Sequence, residues 1–226
     1  MMSFLIQTKQ LSISMQTPNK SLWEKFSPTL QEKRRDKMHA VASNRTKHIR
    51  LVLQDIHDPH NISACLRSAD AFGIQEIDII SYDKKFKVSS VAKGCHDWLT
   101  LNTYDSIAEC SKNLKEQGFK LFAAMPSTKT SNLHDLEVRH PLAIIFGNEH
   151  AGVSDKWNNS LDGYFAIPMV GFVDSLNISV SAAITMQHLT QKCLKELSGE
   201  QFFLNDKQRL NLLDHWLKKK YPNPKS

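Results

Sequence analysis

The sequence predicts an α/β fold, a mostly parallel open sheet with helices on both faces, flanked by a helical segment at either end of the chain. Two observations carry this prediction. Short apolar runs rich in β-forming residues recur along the chain, and amphipathic helical patterns stand between them, the alternation that builds parallel sheets. A third observation bears on function: polar loops follow most of the runs, and ligands of such sheets sit at the carboxyl ends of the strands.

Taken in order, residues 20–50 form a basic segment with a helix expected around TLQEKRRDKMHAVA. The first strand is LVLQDI at 51–56, followed by the loop HDPHN. In 62–73, Ile62, Cys65, Leu66, Ala69 and Phe72 share one helical face. IDII at 77–80 is the next strand, and a helical pattern over 105–117 stops at Gly118, a C-cap residue. KLFAA at 120–124, LAIIF at 142–146 and YFAI at 164–167 read as further strands, with the loops MPSTKT, GNEHAG and PMVGFVDSLN after them. Asn177 then opens a helix whose first turns, SVSAA, carry small side chains, and LNDKQRLNLLDHWLKKK is a final amphipathic helix. The organisation expected is a disordered extension over 1–19, a basic helical segment over 20–50, a central α/β domain over 51–198, and a basic helix with its tail over 199–226.

At 226 residues and 41% hydrophobic content the chain can bury an ordinary core without covalent staples. Its first apolar run, Phe4 to Ile6, falls short of the ~7–15 residues of a signal-peptide core, and no run approaches the ~18 of a membrane span. Cys65, Cys95, Cys110 and Cys193 are widely spaced with no C-x-x-C pair. A reduced, cytoplasmic protein is expected, without membrane contact. That decides how a repeated tripeptide is read. Asn61-Ile62-Ser63 and Asn177-Ile178-Ser179 would be glycosylation acceptors in a secreted protein; here they are read as helix starts, each with an Asn cap for an orphan N–H.

The net charge of +6 is unevenly placed. Residues 20–50 contribute +6 and residues 206–226 contribute +4, whereas 51–205 carry −5 and Lys9 supplies +1. Basic ends on a mildly acidic core suggest a polyanion held by the terminal segments, since neutralising phosphates releases counterions. Lys33, Arg34, Arg35, Lys218, Lys219 and Lys220 are the candidate nucleic-acid contacts; solvated helix faces are the plain alternative.

Several chemistries are excluded. G-x-G-x-x-G is absent, and GNEHAGVS has the glycine spacing of a phosphate-binding loop without the lysine that grips the phosphate. His57, His60, His96 and Cys95 lack ligand spacing supported by a carboxylate, so no metal is expected. What remains at the strand ends is a set of polar groups: Asn61, Arg67, Glu149, Ser175 and Asn177. Each has a structural reading of its own. Arg67 shares a helix face with Ser63 and Asp70 and could pair with Asp70; the two asparagines could be caps, and Glu149 an acid favoured at a helix N-terminus.

DPHNISACLRSADAFGI, IIFGNEHAGVS and IPMVGFVDSLNISVSAA, in this order and spacing, resemble the three motifs of the SpoU/TrmH branch of the SPOUT RNA 2'-O-ribose methyltransferases, over roughly residues 30–220. The basic N-terminal segment and the C-terminal helix resemble those of the branch members that act on tRNA. The resemblance implies a C-terminal trefoil knot, S-adenosyl-L-methionine (AdoMet) bound in it, and a homodimer that completes the site. It further implies methylation of a tRNA ribose, the D-loop guanosine at position 18, with ribosomal RNA as the alternative and a non-catalytic RNA-binding protein as a more remote one. By the same resemblance Arg67 acts at the ribose hydroxyl, Asn61 shapes its loop, and Glu149, Ser175 and Asn177 order the motif loops. Ala124, Gly147, Ile167, Met169 and Leu176 would form the donor pocket. A sulfonium is already a good methyl electrophile, so no metal is implied; the difficult partner is the hydroxyl, which must be oriented and lose a proton.

Overall fold

The computed structural model describes residues 20–82, 97–125 and 130–221. The expectations for 1–19, for Cys95 and His96, for most of the MPSTKT loop and for the last five residues lie outside the described residues. Seven strands, β1 (Ile49–Gln54), β2 (Glu76–Ile80), β3 (Thr100–Tyr104), β4 (Lys120–Ala124), β5 (Ser131–Asn132), β6 (Leu142–Phe146) and β7 (Gly163–Ala166), form one sheet of order β3-β2-β1-β6-β4-β7-β5. Every strand pair is parallel. Among the described residues the α-helices are α1 (Leu22–Phe26), α2 (Glu32–Ser43), α3 (Pro59–Ala71), α4 (Ile107–Glu116), α5 (Ile178–Glu196), α6 (Gly199–Phe202) and α7 (Asp206–Lys220).

The central strands β1 and β6 are buried at every residue, as parallel strands covered on both faces must be. Alternate side chains serve opposite layers. Ile49, Leu51 and Leu53 pack with Ile62 and Leu66 of α3 and Ala182 and Met186 of α5, while Val52 turns to Ile107, Cys110 and Leu114 of α4. Two strands had no apolar run to announce them. β3 is the polar TLNTY at the edge of the sheet, only partly buried, and β5 is two residues long. Cys65 and Cys193 are buried free thiols whose pKa is pushed up to about 12 by burial, aided by the charges of Glu149 and Glu196 respectively.

Strand order reverses between β1 and β6: the chain builds β2 and β3 outward from β1 on one side, and β4, β7 and β5 beyond β6 on the other. Such a switch point opens a crevice between the two loops that follow the central strands. After β7 the chain runs through residues 167–177 along this crevice and returns to pack α5 over β1 and against α3.

The first two and the last of the described helices join in one separate core. Trp23 of α1 and Met38 and Ala42 of α2 pack with Leu212, Leu213, Trp216 and Leu217 of α7. Asp214 of α7 accepts hydrogen bonds from the backbone N–H groups of Trp23, at 2.6 Å, and Leu22, at 3.3 Å, so the last helix caps the first. The charge map needs a correction. Arg45 and Arg50, counted among the basic residues of 20–50, are 1% and 3% exposed and pair with Asp70 and with Glu76 and Asp78. A buried guanidinium is tolerated only when paired. The surface charge of that segment therefore lies on and around α1 and α2. Among the described residues no helix is long and apolar enough to cross a membrane.

Candidate active site

The first motif begins its helix earlier than expected. Pro59 occupies the first turn of α3, where its missing N–H costs nothing, and Asp58 is the N-cap, its side chain accepting from His60 N at 2.8 Å. Asn61 is therefore not the cap. It lies inside the first turn, 8% exposed, and its side chain reaches across the crevice. Asn177 does cap α5: its Oδ1 accepts from Ser179 N at 2.8 Å, Val180 N at 3.4 Å and Ser179 Oγ at 2.6 Å.

These roles fix the direction of a hydrogen-bond chain. With its oxygen turned to the helix N–H groups, Asn177 offers Nδ2, which donates to Asn61 Oδ1 at 3.0 Å. Asn61 must then present Nδ2 on its other side, and it donates to Glu149 Oε1 at 2.7 Å. An ionised carboxylate, which only accepts, is the proper terminus. One residue from each motif thus takes part, and the loops after β1, β6 and β7 are held in a single register.

The loop after β6 is folded on itself. Asn148 Oδ1 accepts from His150 N and Ala151 N at 3.0 and 2.6 Å, and Asn148 O accepts from Gly152 N at 3.0 Å. A side chain at Gly147 would have its Cβ 1.9 Å from Gly152 O, so the loop closes only on glycine. Gln54, at the end of β1, secures the far side of the loop: its Oε1 accepts from Ser154 N and Trp157 Nε1, each at 3.0 Å. Neither Asn148 nor Gln54 was among the sequence-derived candidates. Asn-x-x-x-Gly is a turn signal that points to Asn148; Gln54, buried inside a strand pattern, carries none.

Between the loops lies a cavity of about 560 Å³. Ala124, Gly147, Ile167, Met169 and Leu176 all line it, as do Glu149, Ser175 and Asn177. Arg67 does not. It stands exposed on α3, six residues beyond Asn61, and among the described residues it makes no ion pair. The pairing with Asp70 considered from sequence does not form, because Asp70 is engaged by Arg45. Lys33, Arg34 and Arg35 lie on α2 and Lys218, Lys219 and Lys220 in the last turn of α7, away from this cavity. Among the described residues no three His, Cys, Asp or Glu side chains are gathered as metal ligands.

Comparison with known proteins agrees with this geometry. Residues 48–187 match the SpoU rRNA Methylase family. The chain is 31% identical over 188 residues to the tRNA (guanosine(18)-2'-O)-methyltransferase of Borreliella burgdorferi, spanning 83% of this chain and 85% of that one. It is also 31% identical to the enzyme of the same name from Thermus thermophilus, over 83% of this chain and 97% of that protein. The crystal structure of a TrmH/SpoU tRNA modifying enzyme from A. aeolicus superposes with a TM-score of 0.76 at 25% identity, over 84% of this chain and 98% of the other. With the three motif loops joined around one cavity and the match running through all of them, the chain belongs to the SpoU/TrmH family of RNA methylases.

Proposed function

We propose that the protein transfers a methyl group from AdoMet to a ribose 2'-hydroxyl of tRNA, at guanosine 18, the position named for the Borreliella and Thermus relatives. The observation that carries this reading is the Asn177–Asn61–Glu149 chain, which ties a polar, hydrogen-bonding edge to a preformed cavity. The cavity suits the donor. Its volume lies in the range of organic-cofactor sites, roughly 300–1,000 Å³, and its wall combines loop backbone around Gly147 with the apolar Ile167, Met169 and Leu176. AdoMet, when bound there, supplies a methyl group on a positively charged sulfur.

The remaining work falls to the protein's own side chains. The hydroxyl must be oriented and must shed its proton as the oxygen–methyl bond forms. Arg67 cannot readily be the base, because a guanidinium holds its proton to a pKa above ~12. It instead grips the adjacent phosphate and stabilises the developing alkoxide. Glu149, Asn61 and Asn177 keep the three loops in the register the ribose meets, and Ser175 lies at the same rim.

Arg67 reaches the reaction from a second copy of the chain. Val170 and Phe172 are fully exposed on the loop that walls the cavity, with Val173 at 61%, and Val180 and Ile184 continue the apolar surface along α5. A symmetric dimer covers this surface and lets the exposed Arg67 of one copy serve the cavity of the other. Its substrate places the enzyme in the cytoplasm. Ribosomal RNA, named in the family description, is the second reading. The test is methyl transfer from AdoMet to unmodified tRNA and to ribosomal RNA in the presence of a chelator. Transfer to tRNA is expected to persist. Loss in chelator that magnesium restores, with RNA folding unchanged throughout, would contradict a metal-free mechanism.

A further inference from the structure

The two basic ends meet at one indole. Arg34 of α2 lies over the ring of Trp98 with its guanidinium carbon 5.0 Å from the centroid, and Lys220 of α7 lies over the same ring with Nζ at 5.2 Å. Trp98 is itself fixed from below: its ring meets Trp216 edge-on at 5.4 Å, and its carbonyl accepts from Trp216 Nε1 at 3.0 Å and Gln75 Nε2 at 3.1 Å. Lys33, Arg34, Lys218 and Lys219 are exposed around it. Next in the chain, Asp97 pairs with Lys220 and lies 3.9 Å from Lys219 Nζ. Segments far apart in sequence thus present one cationic surface, assembled on an aromatic residue contributed by the acidic core. A carboxylate sits among its lysines.

We propose that this surface is a binding site for the RNA phosphate backbone in which Asp97 is a built-in stand-in for phosphate. In the free protein Asp97 holds the Lys219 and Lys220 ammonium groups in place while Trp98 orients Arg34 and Lys220 by cation–π attraction. A backbone phosphate, with two anionic oxygens and the same single charge, competes with Asp97 for these lysines, which stay shared between the two anions while Asp97 is present. The inference rests on tRNA being the substrate and assigns where it is gripped outside the catalytic crevice. The arrangement separates two roles that a plain count of charges merges: Trp98 aids binding, whereas Asp97 opposes it.

Asp97→Asn tests this directly, with equilibrium binding of an unmodified tRNA transcript measured across a salt series. Removing the competing charge is expected to tighten binding about 2- to 5-fold, the scale of a partly exposed ion pair. The log–log salt slope should steepen by about 0.7–0.9 for each lysine released to a phosphate. Trp98→Leu is expected to shift both quantities the other way, as is the pair Lys219→Gln with Lys220→Gln. A merely structural Asp97 predicts the opposite signature, a lower melting temperature with unchanged or weaker binding and an unchanged slope, and that result overturns the proposal. Failure of the unsubstituted protein to bind tRNA would overturn the substrate reading as well. Normal tRNA binding with no response to Asp97→Asn removes the phosphate stand-in alone.

Discussion

Arg67→Ala is expected to lower methyl transfer to tRNA by at least about two orders of magnitude, the usual scale for losing a transition-state contact, while AdoMet affinity stays near that of the unsubstituted protein. The reason is geometric. Arg67 is exposed on α3 and contributes nothing to the wall of the cavity, so donor binding has no need of it. Its guanidinium is also not spent on Asp70, which is held by Arg45. Among the described residues Arg67 has no ion partner, which leaves its guanidinium available to the phosphate-bearing substrate proposed above. Single-turnover transfer together with calorimetric AdoMet titration separates the two effects. Normal turnover in the variant would make Arg67 an ordinary solvated residue. Mixing Arg67→Ala subunits with subunits lacking a working donor cavity sharpens the test. If Arg67 acts across the dimer, random pairing regenerates one complete site in half of the dimers, so roughly a quarter of full activity returns. Action within one subunit regenerates none.

Gly147→Ala is expected to produce such a subunit. The added methyl would stand 1.9 Å from Gly152 O, with the Gly152 carbonyl carbon at 2.0 Å and Val153 N at 2.2 Å. These are backbone atoms, and the loop cannot give way cheaply. Asn148 bonds it internally and Gln54 anchors its exit, so any shift breaks hydrogen bonds on both sides. Overpacking of this kind costs about 1–3 kcal/mol, which corresponds to AdoMet binding weakened by about 5- to 150-fold. Gly152→Ala, at a φ of +66° but with open space around its Cβ, should cost less. Equal affinity for AdoMet in the Gly147 variant and the unsubstituted protein would show that the loop does not shape the donor site.

The elements legible in the sequence were those whose burial writes a periodic pattern. LAIIF reads as a strand, and Ile62, Cys65, Leu66 and Ala69 as one face of a helix, and all of them are buried. β3 escaped because an edge strand buries too little to need an apolar run, and α1 because a single turn carries no period. The repeated Asn-Ile-Ser has a different role in each copy. Asn177 is a cap, but at the first copy Pro59 and Asp58 move the helix start upstream and free Asn61 to join the motifs. No local rule reveals a hydrogen bond between residues 88 or 116 positions apart. The same limit hid the fate of Arg45 and Arg50, which look like surface charge in a basic segment until the sheet supplies Asp70, Glu76 and Asp78. It also hid the meeting of the chain ends at Trp98, which exists only once α2 and α7 are packed together.

Position-resolved mapping of the product shows whether this crevice methylates a ribose hydroxyl of tRNA. An unmodified tRNA transcript is incubated with the protein and AdoMet, and ribose methylation is read nucleotide by nucleotide from resistance to alkaline cleavage. The proposed reaction yields one new 2'-O-methyl group, at guanosine 18, absent when AdoMet is withheld and nearly absent with Arg67→Ala. Methylation of a base, or of ribosomal RNA with the tRNA untouched, would contradict it.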